Sequence, residues 1–404
     1  MALKRVPVCQ TDRETIQALF AMMRATDAAS FSTALSRWQF PSINMVFGDR
    51  RGDIGYRLLA AVPLRSPLDG HAGAAAVDGT RADMDWRGFI PHDLLPQVIN
   101  PKRGWIASGN HRPVGSFYPL PLGAGTGSMG HTLRSWRLYE LLTPRERFSP
   151  QDVLAVHSDS VNAARRDIVR FASHLRQTLK RELSPDAARA LDHLTPWLDR
   201  GAKSDLTEPG AALAGEINTF FRFINTPLAA TYGGGESGIT RFLRDLAARI
   251  AADPRTPLNQ DEHDFLDRTL AGAWQSANQR FGDDPARWND RARALFTRQR
   301  LGYFDSLDGF GSLDPQHDLS MPPLDTIDGG TIRSQSGQSY TQYVPLHDVD
   351  SAMTLLPPGQ SERPDAASRT STVPLWQGAL LHPAPLSRGA TSRLARSAVT
   401  LSTK

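Results

Sequence analysis

The 404-residue sequence predicts an α+β fold. Segments with the two-residue alternation of strands lie near both ends, at residues 44–62 and 331–345. Residues 133–288 between them show mostly the 3.6-residue period of helices. The helical block is either a separate domain or an insertion between strands that return to one sheet. Both arrangements give the α+β class.

The first predicted elements are two helices and a hairpin. A capping box that begins at Thr11 precedes an amphipathic helix, and a second short helix is predicted at residues 32–38. Residues 44–49 and 54–62 then alternate as strands do. The turn between them contains Gly52, which can adopt positive φ, so we expect a β-hairpin.

Capping residues and apolar spacing locate the later elements. Ser149 as N-cap and Pro150 in the first turn begin one helix, whose buried stripe extends to Leu175. The tail after Leu386 is rich in Ser, Arg and Thr and is predicted to be poorly ordered. Further helices are predicted at residues 185–198, 210–224, 238–251 and 260–281, and further strands at 104–108, 331–333 and 339–345.

Composition excludes several classes of protein. The formal charge of +4 is small for this length, and basic residues are interleaved with acidic ones, so no nucleic-acid partner is expected. Cys9 is the only cysteine, which excludes an internal disulfide. No apolar run is long enough to predict a membrane span. The first residues lack the hydrophobic region of a signal peptide, which predicts a cytoplasmic location if the chain is expressed as given.

Five short motifs follow one another at residues 85–113. Other blocks lie at residues 44–65, 118–142 and 329–376. In this order they resemble the penicillin acylase family, from about residue 10 to about residue 388. The five motifs are Asp85-Trp-Arg-Gly-Phe-Ile-Pro91, Leu95-Pro96, Asn100-Pro101, Gly104-Trp-Ile106 and Asn110-His-Arg-Pro113.

The resemblance implies a partial four-layer αββα core of an N-terminal nucleophile hydrolase, with a mainly helical insertion. Strands near residues 44–62, 104–110 and 339–345 are then expected in neighbouring sheets. The implied regions are residues 1–125 as the first part of the core, 126–325 as a mainly helical region, 326–388 as returning strands, and 389–404 as a disordered tail.

The resemblance also implies a reaction. Family members cleave linear amides with the N-terminal Ser of the larger subunit, whose own amino group acts as the base. The motifs here match only the distal part of that subunit, so the chain alone is expected to be inactive. The Gly-Ser steps at Ser116, Ser128 and Ser312 follow the oxyanion motif and do not substitute for the nucleophile.

Partners and substrates follow from the same resemblance. A complementary small subunit and a nucleophile-bearing chain are the expected protein partners, and the family's compartment is the periplasm. The substrate is an acylated small-molecule amide: a β-lactam side-chain amide, an acyl-homoserine lactone or another acylated amine. The alternative is a truncated, inactive remnant or a non-catalytic binding protein.

Two residues are candidates for the active site. By the resemblance, Asn110 donates its side-chain amide to the oxyanion; the alternative is that it only caps a strand end. Arg134 matches an arginine that organises the active site; the alternative is a solvated arginine in the first turn of a helix. No cofactor is predicted. Leu122 stands where many members have a calcium-binding Asp, and a leucine cannot bind a hard cation.

Overall fold

The chain forms two compact units in a computed structural model, Met1–Glu146 and Arg147–Lys404. The structure describes residues 3–6, 8–69, 73, 75–115, 117–123, 132–204, 208–289, 294–295, 325–328, 331–334, 340–356, 359–361, 363, 365–369, 371–372, 375 and 380–395. The first unit contains helices α1 (Val8–Met22), α2 (Ala28–Leu35) and α3 (Leu133–Leu142) and strands β1 (Ile43–Gly48), β2 (Ile54–Leu59) and β3 (Gln97–Ile99).

The three strands of the first unit form one antiparallel sheet in the order β1-β2-β3. Gly52 has a φ of 95° in the turn between β1 and β2, so the predicted hairpin is confirmed. Asn100, directly after β3, ties this strand to the hairpin. Its Oδ1 accepts a hydrogen bond from the Ile54 amide at 2.9 Å, and its Nδ2 donates to Asp53 at 2.7 Å.

Helices α1 and α2 pack with this sheet around a small apolar core. Ala18, Leu35 and Leu59 are fully buried, and Trp38 is nearly so. The partly buried side chains of Met22, Phe31, Ile43, Met45 and Phe47 surround them. Removal of this apolar surface from water is what favours the arrangement of the two helices and the hairpin.

Three predictions for the first unit are wrong. Helix α1 begins at Val8, so Thr11 lies inside the helix and cannot cap it. Helix α2 begins at Ala28 rather than near residue 32, because Asp27 is its N-cap and forms a capping box with Ser30. Residues 104–108 form no strand.

The second unit is mainly helical in its described part. Predicted starts at Pro150, Pro185 and Gln260 are confirmed, the first with Ser149 as N-cap. The helices are α4 (Pro150–His157), α5 (Ala163–Gln177), α6 (Pro185–Asp199), α7 (Pro209–Gly215), α8 (Thr219–Ile224), α9 (Pro227–Tyr232), α10 (Gly235–Ala252) and α11 (Gln260–Phe281).

Three phenylalanines form the centre of this helical core. Phe223, Phe242 and Phe265 lie with their ring centroids 5.6–5.8 Å apart, and two of the three pairs are edge-to-face. All three side chains are at most 2% exposed. Edge-to-face contacts add favourable electrostatics to the burial of large apolar surfaces, so this trio joins α8, α10 and α11.

Two predicted helices are each divided in the structure. The helix expected from Ser149 to Leu175 is interrupted, because Asn162 caps a new helix by accepting from the Arg165 amide at 3.1 Å. The segment at 210–224 is divided into α7 and α8. Helix α9 was not predicted, although its Pro227 occupies a first-turn position that favours proline.

The remaining strands of the second unit form two small sheets. One contains β4 (Ala294–Leu295), β5 (Asp325–Asp328) and β6 (Thr331–Ser334) in the order β4-β6-β5. The other contains β7 (Thr341–Tyr343), β8 (Met353–Leu355) and β9 (His382–Pro383) in that order. Strands predicted at residues 331–333 and 339–345 are thereby confirmed.

Two other expectations differ from the structure. The expectation that residues 44–62, 104–110 and 339–345 form strands in neighbouring sheets is wrong for 104–110, and the other two segments lie in different units. Part of the predicted tail forms helix α12 (Arg388–Leu394), whose N-cap Ser387 accepts from the Ala390 amide. The region borders predicted at residues 125, 325 and 388 stay predictions.

Of the helices within the described ranges, none combines the length and the apolar character that crossing a bilayer requires.

The carboxylate of Asp49 joins the hairpin turn to helix α2. Its Oδ2 accepts from the Ala28 amide at 2.9 Å, and its Oδ1 accepts from the amides of Arg51 at 2.8 Å and Asp53 at 3.2 Å. The Ala28 bond is the largest cause that lowers the pKa of Asp49 below its ordinary 3.8. The ionised carboxylate is therefore favoured in the folded state.

Replacing Asp49 with Asn should lower the urea midpoint of the first unit at pH 7, because an amide cannot accept all three bonds. The folded-state pKa is depressed, so the carboxylate's contribution is present above the unfolded value and is lost as pH falls through the folded value. The difference from wild type should therefore shrink below pH 3.8. Asp83→Asn, which removes an exposed pairing with Arg81, is the control; an equal effect of both substitutions would contradict this role.

Candidate functional site

Asn110 lies on a loop, not at the end of a strand. Its backbone has a φ of 56°, in the left-handed region, and its side chain is exposed. Asparagine adopts this conformation more readily than most residues because its short amide can hydrogen-bond locally. The sharp turn directs the Asn110 side chain towards helix α3.

Arg134, in the first turn of α3, fixes the orientation of this amide. Its Nη2 donates a hydrogen bond to Asn110 Oδ1 at 2.7 Å. A guanidinium has donors only, so the amide atom that faces it must be the oxygen. Nδ2 of Asn110 therefore faces away from Arg134, and no group in the described part of the chain accepts a hydrogen bond from it.

Gly109 packs directly against the backbone of α3. A Cβ at Gly109 would lie 2.7 Å from the Ser135 nitrogen and 3.1 Å from its Cα, closer than atoms in ordinary contact. Only glycine permits this approach. The amide of Gly109 donates to His111 Nδ1 at 3.3 Å, so His111 supports the loop from within.

Thr132, the N-cap of α3, also connects the loop at Gly109 to this helix. Its hydroxyl accepts from the Ser135 amide at 3.1 Å and donates to the Gly109 carbonyl at 2.6 Å. Thr132 and Ser135 are buried, as is Gly109. One hydroxyl thus both begins the helix and holds the loop that carries Asn110.

A cation-aromatic cluster holds the start of the segment that leads to Asn110 against α3. Arg103 donates to the Tyr139 hydroxyl at 2.7 Å and to the Trp105 carbonyl at 2.9 Å, and its guanidinium lies 4.3 Å from the Trp105 ring centroid. The rings of Trp105 and Tyr139 are edge-to-face at 5.1 Å. These contacts connect α3 with both ends of the segment 103–110.

The structure thus brings the two predicted site residues together, and it adds residues that the sequence analysis did not identify. Asn110 and Arg134 are 24 positions apart and directly bonded. The sequence analysis did not predict that Gly109, Thr132 and Arg103 hold the loop that carries Asn110. A Thr three residues before a Ser, ahead of an apolar helical run, was the available signal for Thr132.

Leu122 belongs to an apolar cluster. It packs against buried Ala60, Val62, Ile90 and Leu95, together with Leu64 and Leu120. Across the described residues, no three His, Cys, Asp or Glu side chains are grouped as a metal ion would need. An uncharged side chain within an apolar cluster offers no oxygen ligand to calcium.

Gly109→Ala should destabilise the first unit by about 1–3 kcal/mol, because the added methyl group must displace the backbone of α3. Thermal or urea unfolding measures this effect. Gly79→Ala in the same unit is the matched control, since a Cβ there meets nothing within 4 Å. Equal stability of Gly109→Ala and wild type would show that the loop does not pack on the helix in this way.

Millimolar calcium should leave the melting temperature of the chain unchanged, because Leu122, at the position where the resemblance expects a carboxylate ligand, lies in an apolar cluster. A bound ion would raise the melting temperature through mass action. Differential scanning calorimetry with calcium and then with excess chelator measures this. A rise that the chelator reverses would show that other oxygen atoms bind calcium.

Comparisons with known proteins agree with this architecture. The model of the family described as penicillin amidase matches residues 2–393. Penicillin acylase 2 proenzyme of Pseudomonas sp. (strain SE83) is 31% identical over 162 residues, which are 40% of this chain and 20% of that protein. Acyl-homoserine lactone acylase QuiP of Pseudomonas fluorescens (strain Pf0-1) is 26% identical over 298 residues, 69% of this chain and 36% of that protein.

A solved structure gives the same result for the fold. A thermostable penicillin G acylase from Alcaligenes faecalis superposes with a TM-score of 0.62 at 17% identity, over 98% of this chain and 73% of that chain. The predicted α+β fold of this family is thereby confirmed. The matched segments span about a fifth to a third of the two curated relatives above. Because the family model covers nearly the whole sequence, the chain belongs to the penicillin amidase family.

Proposed function

We propose that this chain supplies the oxyanion-binding part of an enzyme that hydrolyses linear acyl amides. The observation that supports this most directly is the hydrogen bond from Arg134 to Asn110 Oδ1. It leaves Asn110 Nδ2 as an exposed donor in a fixed orientation. A donor that is oriented before the reaction stabilises developing negative charge without reorganising during it.

The proposed reaction begins with attack of a serine hydroxyl on the amide carbonyl. The hydroxyl proton passes to the amino group of the same N-terminal serine, and the carbonyl oxygen becomes the oxyanion. Asn110 donates its Nδ2 hydrogen to that oxygen. The tetrahedral intermediate collapses as the amine leaves with the proton, and water then hydrolyses the acyl-serine ester. Arg134 is a positioning residue, since it acts through Asn110.

The serine is proposed to come from a nucleophile-bearing chain with a complementary small subunit, because the matched segments are only parts of the relatives. Ser116, Ser128 and Ser312 lie outside the described residues. The proposed substrate is an acylated small-molecule amide. The names of the relatives favour two candidates, a penicillin side-chain amide and an acyl-homoserine lactone. The family's periplasmic setting is the proposed compartment.

The experiment is reconstitution of an acylase with this chain and a partner that bears the small subunit and the N-terminal serine. Phenylacetyl and longer acyl p-nitroanilides serve as substrates. The chain alone should release no chromophore, and the reconstituted enzyme should. Asn110→Ala should then lower kcat by about a hundred- to a thousandfold, the usual effect of removing one oxyanion donor.

Controls separate catalysis from folding. Asn289→Ala removes an exposed asparagine of the second unit, whose side chain donates to the Arg287 carbonyl at 2.9 Å, and it should retain wild-type kcat. Arg134→Lys keeps the charge but not the planar guanidinium, so kcat should fall less than in Asn110→Ala. Equal rates for Asn110→Ala and wild type would contradict the oxyanion role. Failure of the reconstituted wild type to turn over any acyl anilide would favour the inactive remnant.

A further inference from the structure

Helix α1 of the first unit exposes a stripe of large apolar side chains to water. The stripe consists of Ile16, Leu19, Phe20 and Met23, the last directly after the helix. These side chains are 44–82% exposed and have the spacing of one helix face. Among the described side chains of the other helices, each helix exposes at most one that is large and apolar. We call these four residues the α1 stripe.

The opposite face of α1 is already packed. Ala18 is fully buried in the core of the first unit, and Met22 packs against the same core. The α1 stripe is therefore not the face that the folding of this unit uses. A helix with apolar residues on two sides is typical of one that is covered on both sides.

Phe40 extends the exposed apolar surface beside the α1 stripe. Its side chain is 43% exposed, and its amide donates to Thr15 Oγ1 at 3.4 Å. Thr15 lies one turn before Leu19 on α1. Single apolar side chains on a surface are ordinary, whereas contiguous ones mark contact surfaces.

Exposed arginines border the α1 stripe. Arg13 lies one turn before it, and Arg24 follows it directly. Arg37, shortly after α2, donates to Gln17 Oε1 at 3.1 Å, so a third exposed guanidinium lies beside α1. A surface that complements this border presents carboxylates around an apolar centre.

The same border argues against a second copy of this chain as the occupant. If two α1 stripes paired antiparallel, Arg13 of each copy would face Arg24 of the other. If they paired parallel, each arginine would face its own counterpart. Like charges at both ends oppose either arrangement, so a different chain fits the surface better.

We propose that the α1 stripe is the docking surface for the nucleophile-bearing chain, which presents an apolar helix face bordered by acidic residues. The identity of this partner rests on the proposed function. This chain covers 73% of the solved acylase on which it superposes, and the remaining part of that fold has no counterpart in these residues. A partner that supplies that part needs a surface on this chain. The α1 stripe and Asn110 belong to the same unit.

The test measures binding and catalysis separately in the reconstituted enzyme. Calorimetric titration of the chain with the partner that bears the small subunit and the N-terminal serine gives Kd. Release of p-nitroaniline at saturating partner gives kcat. Phe20→Glu should raise Kd about tenfold or more, because it places a charge in the apolar contact, and should leave kcat unchanged. Asn110→Ala should do the reverse, with a lower kcat and an unchanged Kd.

Leu68→Glu is the matched control. Leu68 belongs to the same unit, lies outside the α1 stripe and is as exposed as Phe20, at 56%, so this variant should keep the wild-type Kd. Phe20→Glu should keep the urea midpoint of the first unit, since Phe20 is exposed and glutamate favours a helix more than phenylalanine does. A wild-type Kd in Phe20→Glu, or no complex of the wild-type chain with the partner up to about 100 μM, would overturn the proposal.

A second variant tests the charged border. Arg13→Glu combined with Arg24→Glu should raise Kd about fivefold or more, because both substitutions place like charges against the partner's carboxylates. An unchanged Kd would overturn the acidic border of the partner.

Two further measurements test other occupants. Sedimentation of the chain alone should show no dimer that Phe20→Glu abolishes, and phosphatidylglycerol vesicles should not bind the chain through Phe20. Either result would assign the α1 stripe to a second copy or to a lipid surface and overturn the proposal. A complex that Phe20→Glu weakens but that hydrolyses no acyl anilide would support the docking surface and contradict the proposed function.

Discussion

The hydrogen bond between Arg134 and Asn110 is the interaction on which the candidate site depends. It determines which end of the Asn110 amide is free, because a guanidinium can only donate. Without it, the amide of an exposed asparagine could rotate, and its N–H would have no fixed direction. An oxyanion donor is effective only when its direction is set before charge develops.

Several weaker contacts make this hydrogen bond geometrically available. Arg134 occupies the first turn of α3, which contains no acidic residue and where the helix dipole disfavours a cation. The neighbouring contacts from Thr132 to Gly109 and from the Gly109 backbone to α3 hold the loop against the same turn.

The helical unit is stabilised in a different way. Its stability comes from large apolar side chains, with Phe223, Phe242 and Phe265 at the centre. Next to that centre, the guanidinium of Arg222 packs on Gly272, and no carboxylate among the described residues pairs with it. A charged group that is partly removed from water and left unpaired lowers stability.

Local sequence signals determined much of the secondary structure. The hairpin with Gly52, the capped start at Ser149 and Pro150, and helix α11 at residues 260–281 were all predicted, since period, caps and turn residues act over a few positions. The order of the motifs determined the family. It also identified Asn110 and Arg134 as candidates.

Only the tertiary structure decided how those residues act. That Asn110 lies on a left-handed loop, that Arg134 reaches its oxygen, and that Gly109 must lack a side chain all depend on contacts between segments more than 20 residues apart. The same holds for Arg222, which meets Gly272 only because α8 packs on α11. Sequence periodicity reflects local preferences. Which polar atoms of a site remain available to a substrate depends instead on which distant groups the packing brings within bonding distance.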